Sequence, residues 1–380
     1  MTLGAREWLL LSQLPRLGVV TLAGFAEARL DWPGGWLARL PHEAAQTLRL
    51  ALDHPSHSTL ASLVEAQLAW CRPEAHRYLL YPGHASWPRS LSALSDPPAV
   101  LWAQGDLAAL EPPRLAMVGT RRATREGLHN AASFSQGLVE QGFCVVSGMA
   151  LGIDGAAQRA ALEAGGCSIG VLGCGVDVIY PARHRSLYEQ LGRPGQPENG
   201  RGLLLSEHPP GTQAHPSFFP RRNRIVTGMS LGVLVVEAAE RSGSLISARL
   251  AGEQGREVFA MPGSIHNPEA GGCLRLIREG AVLVRDVDDM VAELPAWALT
   301  LGADQALACS SGGQASFSAS DNSTQDPLLG LLSATPVPMD VLVELSGLAS
   351  SECQRQLIML ALDGVADQVP GGWVRLPTRS

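Results

Sequence analysis

From Leu115 to about Val284 the chain repeats one unit: an apolar run of strand length, a turn of small residues, then a helical stretch. Strands are expected near 115–118, 143–147, 168–172, 202–206, 232–237, 257–261 and 281–284, with helical stretches such as REGLHNAASFSQGLVEQG and IDGAAQRAALEAG between them. Runs such as GVLVVEA lack strict alternation, as a strand covered by helices on both faces must. The rhythm therefore predicts a doubly wound, mainly parallel α/β sheet.

In such a sheet the loops after the strands gather along one edge. LAMVGTRRATREG (115–127) and FCVVSGMALGID (143–154) each pass from strand through a glycine turn into a helix. Unpaired N–H groups and the positive dipole end of a helix N-terminus suit a phosphate there. The ligand is not a dinucleotide. G-x-G-x-x-G needs a second glycine so that the backbone can approach a pyrophosphate, and Arg121 stands in that slot. The acid expected after the second strand is replaced by Ser147-Gly148, and Gly173-Cys174-Gly175 lacks the third glycine.

A chain of phosphates fits better. FFPRRNRIVTG (218–228) offers Arg221, Arg222 and Arg224 as phosphate forks, Asn223 as a base-edge or backbone partner, and Phe218 and Phe219 as stacking faces. The same segment also reads as a solvated surface loop. Arg241-Ser242-Gly243-Ser244 opens another helix, so Arg121, Arg122, Arg222, Arg224 and Ser244 are expected to line one groove. Net charge is −7 and the pI about 5.8, so any nucleic-acid contact must be a local patch. Every one of the 29 basic residues is arginine, which leaves only planar forks for phosphate contacts.

The series VGTRRAT, SGMALGID, VLGCGVDVIYP, LLSEHPPG, FFPRRNRIV, VVEAAERSGSLISARLAGEQGREVFAMPG and GCLRLIREGA resembles the DprA/Smf DNA-processing family, in order from about Tyr81 to Val284. The resemblance implies an extended Rossmann-like domain that binds single-stranded DNA, forms a homodimer and helps load the RecA recombinase during natural transformation. It also implies a helical N-terminal module and a C-terminal winged-helix module. Carried over by position, the DNA-binding set is Gly119, Thr120 and Arg121, Ser147 and Gly148, Arg222, Asn223 and Arg224, and Ser242, Gly243 and Ser244. Arg122, Phe219 and Arg221 join it from the residue reading. Gln158, Ser247 and Leu274 depart from the usual pattern, the first two in a region where catalysis would otherwise be considered.

The expected domains are a helical module at 1–73, the DNA-binding domain at 74–297, a flexible Ser/Gly/Ala-rich linker at 298–326 and a winged-helix-like domain at 327–380. Within the second, the Pro- and Trp-rich residues 74–114 read as an extended ornament, and LPRLGVVTL in the first resembles a helix-turn-helix step. The last module pairs three helices with a hairpin turning at Gly371 and Gly372. Its only arginines are Arg355, Arg375 and Arg379, too few for a DNA-reading helix.

Seven unpatterned cysteines read as reduced thiols, and the N-terminus as neither a signal peptide nor a membrane span, so a cytoplasmic protein without membrane contact is expected. Ten histidines show no metal spacing, and no nucleophile elbow is present. No catalytic residue, metal or cofactor is assigned. Asp154 reads as an acid favoured by a helix dipole, and Glu237 as a residue orienting an arginine or amide; Tyr180 and His184 flank the groove. The competing reading is a nucleotide-processing enzyme, phosphoribohydrolase-like, on the same fold, with the SGS turn and Glu237 as its site. A transcriptional regulator built on the winged helix lacks a basic recognition helix.

Overall fold

The computed structural model describes residues 3–28, 30–193 and 200–294, and beyond them only short pieces between 342 and 375. The chain forms two compact units, Met1–Ala315 and Ser316–Ser380. The expected linker at 298–326 lies outside the described residues.

The first unit begins with five short helices, α1 (Ala5–Ser12), α2 (Val19–Glu27), α3 (Gly34–Arg39), α4 (His42–Asp53) and α5 (Thr59–Leu68). Trp8, Leu10, Trp36, Leu48 and Val64 are buried between them, and Trp36 meets the rings of Phe25 and Trp32 edge-on. These side chains share one hydrophobic cluster with Leu79, Trp102 and Leu204 of the sheet. The helices thus pack directly on the α/β domain.

Among the described residues the sheet has nine strands. Seven follow the repeat: β3 (Arg114–Val118), β4 (Cys144–Ser147), β5 (Cys167–Leu172), β6 (Arg201–Ser206), β7 (Gly232–Val235), β8 (Glu257–Ala260) and β9 (Val282–Leu283). All pairings among these seven are parallel. The other two, β1 (Arg77–Leu80) and β2 (Leu101–Gly105), come from the segment expected to be an ornament. They pair antiparallel with each other and extend the sheet through β6, giving the order β1-β2-β6-β5-β4-β3-β7-β8-β9. Their prolines lie between the strands, where no ladder donor is lost. Both faces are buried: Ala116 and Val118 enter one cluster, Leu115 and Met117 another.

Between the strands run α6 (Arg125–Glu140), α7 (Ile153–Glu163), α8 (Arg185–Leu191), α9 (Phe218–Gly228), α10 (Ser244–Glu253) and α11 (Gly271–Arg278), with α12 (Val287–Glu293) after the sheet. The segment FFPRRNRIVTG is therefore a helix, not a loop. Pro220 is tolerated because it lies in the first turn, where an N–H has no intrahelical partner. Ile225, Val226 and Met229 follow at helical spacing and are buried.

In the second unit β10 (Ala366–Val369) and β11 (Gly372–Arg375) form an antiparallel hairpin. Val369 pairs with Gly372, so Gly372 opens a strand and is not in the turn. The turn, Gly371 included, lies outside the described residues.

Candidate nucleic-acid interface

The winding of the sheet reverses between β3 and β7, since β4, β5 and β6 are laid down on one side of β3 and β7, β8 and β9 on the other. A crevice at the strand C-termini is the topological consequence. It is an open cleft of about 410 Å³, lined by the turns after β3 and β4, the first turns of α9 and α10, and Asp154. Of the expected residues, Gly119, Thr120, Arg121, Arg122, Gly148, Phe219, Arg222, Asn223, Ser242, Gly243 and Ser244 all line it.

The turn after β3 is held from beneath. Thr120 N donates to the Glu237 carbonyl (2.7 Å), and Arg122 N donates to Thr120 Oγ1 (3.2 Å). Thr124 caps α6, accepting from Gly127 N at 3.0 Å. Glu237 is 5% exposed and fixes that cap: Thr124 N and Oγ1 each donate to its carboxylate at 2.9 Å, and Asn267 Nδ2 reaches it at 3.4 Å. A carboxylate at a helix N-terminus is also favoured by the dipole. Glu237 thus orients a threonine and an amide, no arginine, and it does not line the cleft. The outcome is a fixed turn carrying two exposed guanidinium groups, Arg121 and Arg122.

The turn after β4 is built differently. Asp154, buried in the first turn of α7, accepts from Gly148 N (3.0 Å) and Ala150 N (3.3 Å). Two N–H groups expected to face a phosphate are therefore taken by the chain's own carboxylate. Burial pushes the Asp154 carboxyl above its ordinary value; Arg222 and then those N–H groups act against that shift. Gly152 has φ +81° and leaves no room for a Cβ beside Thr120 O, so this glycine lets the two turns interlock. Ser147 is fully buried and donates to the Met117 carbonyl at 2.6 Å, so it does not reach the cleft.

On α9 the three arginines part company. Arg222 is 6% exposed and donates through Nη1 to the carbonyls of Gly148 (2.6 Å) and Val171. A Cβ on Gly148 would lie 2.5 Å from its Nη2, so that glycine makes room for the guanidinium. Burial lowers the Arg222 pKa to about 10, with Asp154 acting against it, and the group stays charged at neutral pH. Its Nε has no hydrogen-bond partner among the described residues. Arg222 therefore binds the ends of β4 and β5 together while lining the cleft. Arg224, at 7% exposure, lies away from the cleft, paired with Glu207 (2.6 Å) and Asp96 (3.1 Å). Arg221 faces the same two carboxylates at 3.5 and 3.9 Å. Expecting Arg224 in the groove and Arg221 as a phosphate fork did not reckon with Asp96 and Glu207, and no local signal marks Asp96 as their partner.

At α10 the hydroxyls of Ser242 and Ser244 lie 2.7 Å apart, and Ser247 joins them in lining the cleft one turn on. The i, i+3 spacing from Ser244 could have found it. Phe218 is set against His208 and His215 instead of the cleft. His184 is buried, its Nδ1 3.1 Å from the Met149 carbonyl, with burial lowering its pKa. It supports the second turn from below and does not flank the opening. No group of three or more His, Cys, Asp or Glu side chains is placed to hold a metal ion among the described residues. No described helix is long and apolar enough to cross a membrane.

Fold and cleft together define a doubly wound α/β protein with an arginine-lined site at its switch point. The chain belongs to the DNA recombination-mediator protein A family, whose family model matches residues 78–295; the DprA winged helix domain matches 314–372. Protein Smf of Escherichia coli (strain K12) is 38% identical over 362 residues, 90% of each chain. DNA processing protein DprA of Bacillus subtilis (strain 168) is 43% identical over 210 residues, 55% of this chain and 68% of the relative. The X-ray structure of DNA processing protein A from Streptococcus pneumoniae superposes with a TM-score of 0.64 at 34% identity, covering 78% of this chain and 99% of that one.

Proposed function

We propose that the cleft binds single-stranded DNA without chemically altering it, and that the protein protects incoming DNA and helps load the RecA recombinase during natural transformation. The carrying observation is the convergence of Arg121, Arg122, Arg222 and Asn223 on one open cleft at the strand C-termini. The same arginine that obstructs a pyrophosphate is suited to a chain of separate phosphates. Membership of a recombination-mediator family supports the recombinase step, and a cytoplasmic homodimer completes this reading. Glu237, the acid on which a nucleotide-hydrolysing reading would rest, has both carboxylate oxygens engaged below the turn.

The test is binding of the full chain to oligo-dT across a salt series. Affinity is expected to fall with salt at a log–log slope of about −0.7 per neutralised phosphate. Arg121→Ala and Arg222→Ala are expected to weaken binding, and Arg224→Ala to leave the slope as it is. Unchanged binding in both of the first two would overturn the proposal.

A further inference from the structure

The arginine cleft does not close at α10. Ser242, Gly243 and Ile246 line it and also line a second, larger cavity of about 920 Å³ beside α10, α11 and β8, so a single shared ridge separates the two. That ridge is open from above: Gly243 is exposed, and a Cβ built on it would meet nothing within 4 Å. The cations of the cleft, Arg121, Arg122 and Arg222, come from the β3 turn and α9. The α10 side contributes only the hydroxyls of Ser242, Ser244 and Ser247.

Arg241 stands just beyond the ridge, exposed, and it lines the larger cavity but not the cleft. Its chain neighbour Glu240 is turned away onto Gly271, where an added Cβ would lie 3.1 Å from the glutamate Cγ. The other arginines of the larger cavity are engaged or hidden: Arg249 pairs with Glu253 at 3.5 Å, Arg275 pairs with Glu279 at 3.4 Å, and Arg256 is buried. Arg241 has no ion pair among the described residues. Glu240 and Glu257 also stand on the cavity wall, so its glutamates match its arginines and its depth offers a phosphate chain no net attraction. What the cavity offers a strand is one free guanidinium at its rim.

We infer that a single strand leaves the arginine cleft over the Ser242–Gly243 ridge and that Arg241 holds the phosphate beyond it. Small residues on the ridge let a backbone pass close, and a planar fork on its far side suits a phosphate oxygen pair. The inference rests on the single-strand reading above and adds to it one contact outside the cleft.

The full chain, Arg241→Ala, Arg241→Lys and Arg249→Ala are titrated with a ladder of oligo-dT lengths across a salt series, and self-association of each is followed by sedimentation. On strands long enough to cross the ridge, Arg241→Ala is expected to bind more weakly at low salt, with a log–log slope shallower by about 0.7. On the shortest strands the parent binds measurably, Arg241→Ala is expected to match it. Arg241→Lys should restore the slope by keeping the charge, and Arg249→Ala should behave as the parent throughout. An unchanged slope in Arg241→Ala on long strands, or an equal loss at every length, overturns the inference. So does weakened self-association of Arg241→Ala with its DNA affinity intact, which would assign the ridge to a second copy of the chain. Failure of the parent itself to bind oligo-dT at any length overturns the single-strand reading, and this one with it.

Discussion

The turns after β3 and β4 share one sequence pattern, strand to glycine to helix, and lie side by side in the sheet. They do opposite things with their polar groups. The β4 turn is closed on itself, because Asp154 collects Gly148 N and Ala150 N. The β3 turn is braced from outside, by a glutamate more than a hundred residues away, and its Arg121 and Arg122 side chains stay exposed. A glycine turn before a helix is thus an anion site only if no local carboxylate has already filled it. In this protein the second turn supports the first, and the cationic character of the cleft lies in arginine side chains more than in bare N–H groups.

Three substitutions test that division of labour. Asp154→Ala should have the largest effect, leaving two half-buried N–H groups without their acceptor and Arg222 without its counter-charge. A loss of about 3 kcal/mol is expected by denaturant titration. A loss below about 1 kcal/mol would mean the β4 turn is not closed by this carboxylate. Thr124→Ala removes the α6 cap and one Glu237 contact and should cost about 1 kcal/mol, read as a lowered unfolding midpoint. The same variant should weaken oligo-dT binding, since the turn bearing Arg121 and Arg122 loses its brace. Arg122→Ala should change stability least, within about 0.5 kcal/mol, as an exposed side chain with no ion pair among the described residues. Its effect should appear in DNA binding, as a salt slope shallower by about 0.7. A stability loss in Arg122→Ala matching that of Asp154→Ala would erase the contrast between the turns.

Much of the fold could be read in advance because hydrophobic period and turn chemistry are local. β3 to β9 lie where apolar runs end at small residues, and their parallel pairing follows from the helices between them. β1 and β2 escaped because short strands among prolines resemble irregular chain, and only the pairing of β2 with β6 and of β1 with β2 gives them a ladder. The helical state of FFPRRNRIVTG escaped because its polar first half hides the periodicity that Ile225, Val226 and Met229 complete. In the site, the glycine turns and the serines of α10 were recognisable by composition. The sequence places Tyr180 beside the groove, yet nothing in it says that Phe218 and Phe219 are half-buried while Tyr180 stays exposed.

The sequence by itself determined the doubly wound sheet, the edge on which its loops gather and the cationic character of that edge. It did so because period, glycine positions and residue charge are properties of neighbouring residues. Only the tertiary structure decided which cations are available. Arg222 and Arg224 stand two apart on one helix, yet one lines the cleft and the other is held by Asp96 and Glu207. A charge is neutralised or exposed according to what folding brings within a few ångströms of it, and those partners come from distant parts of the chain.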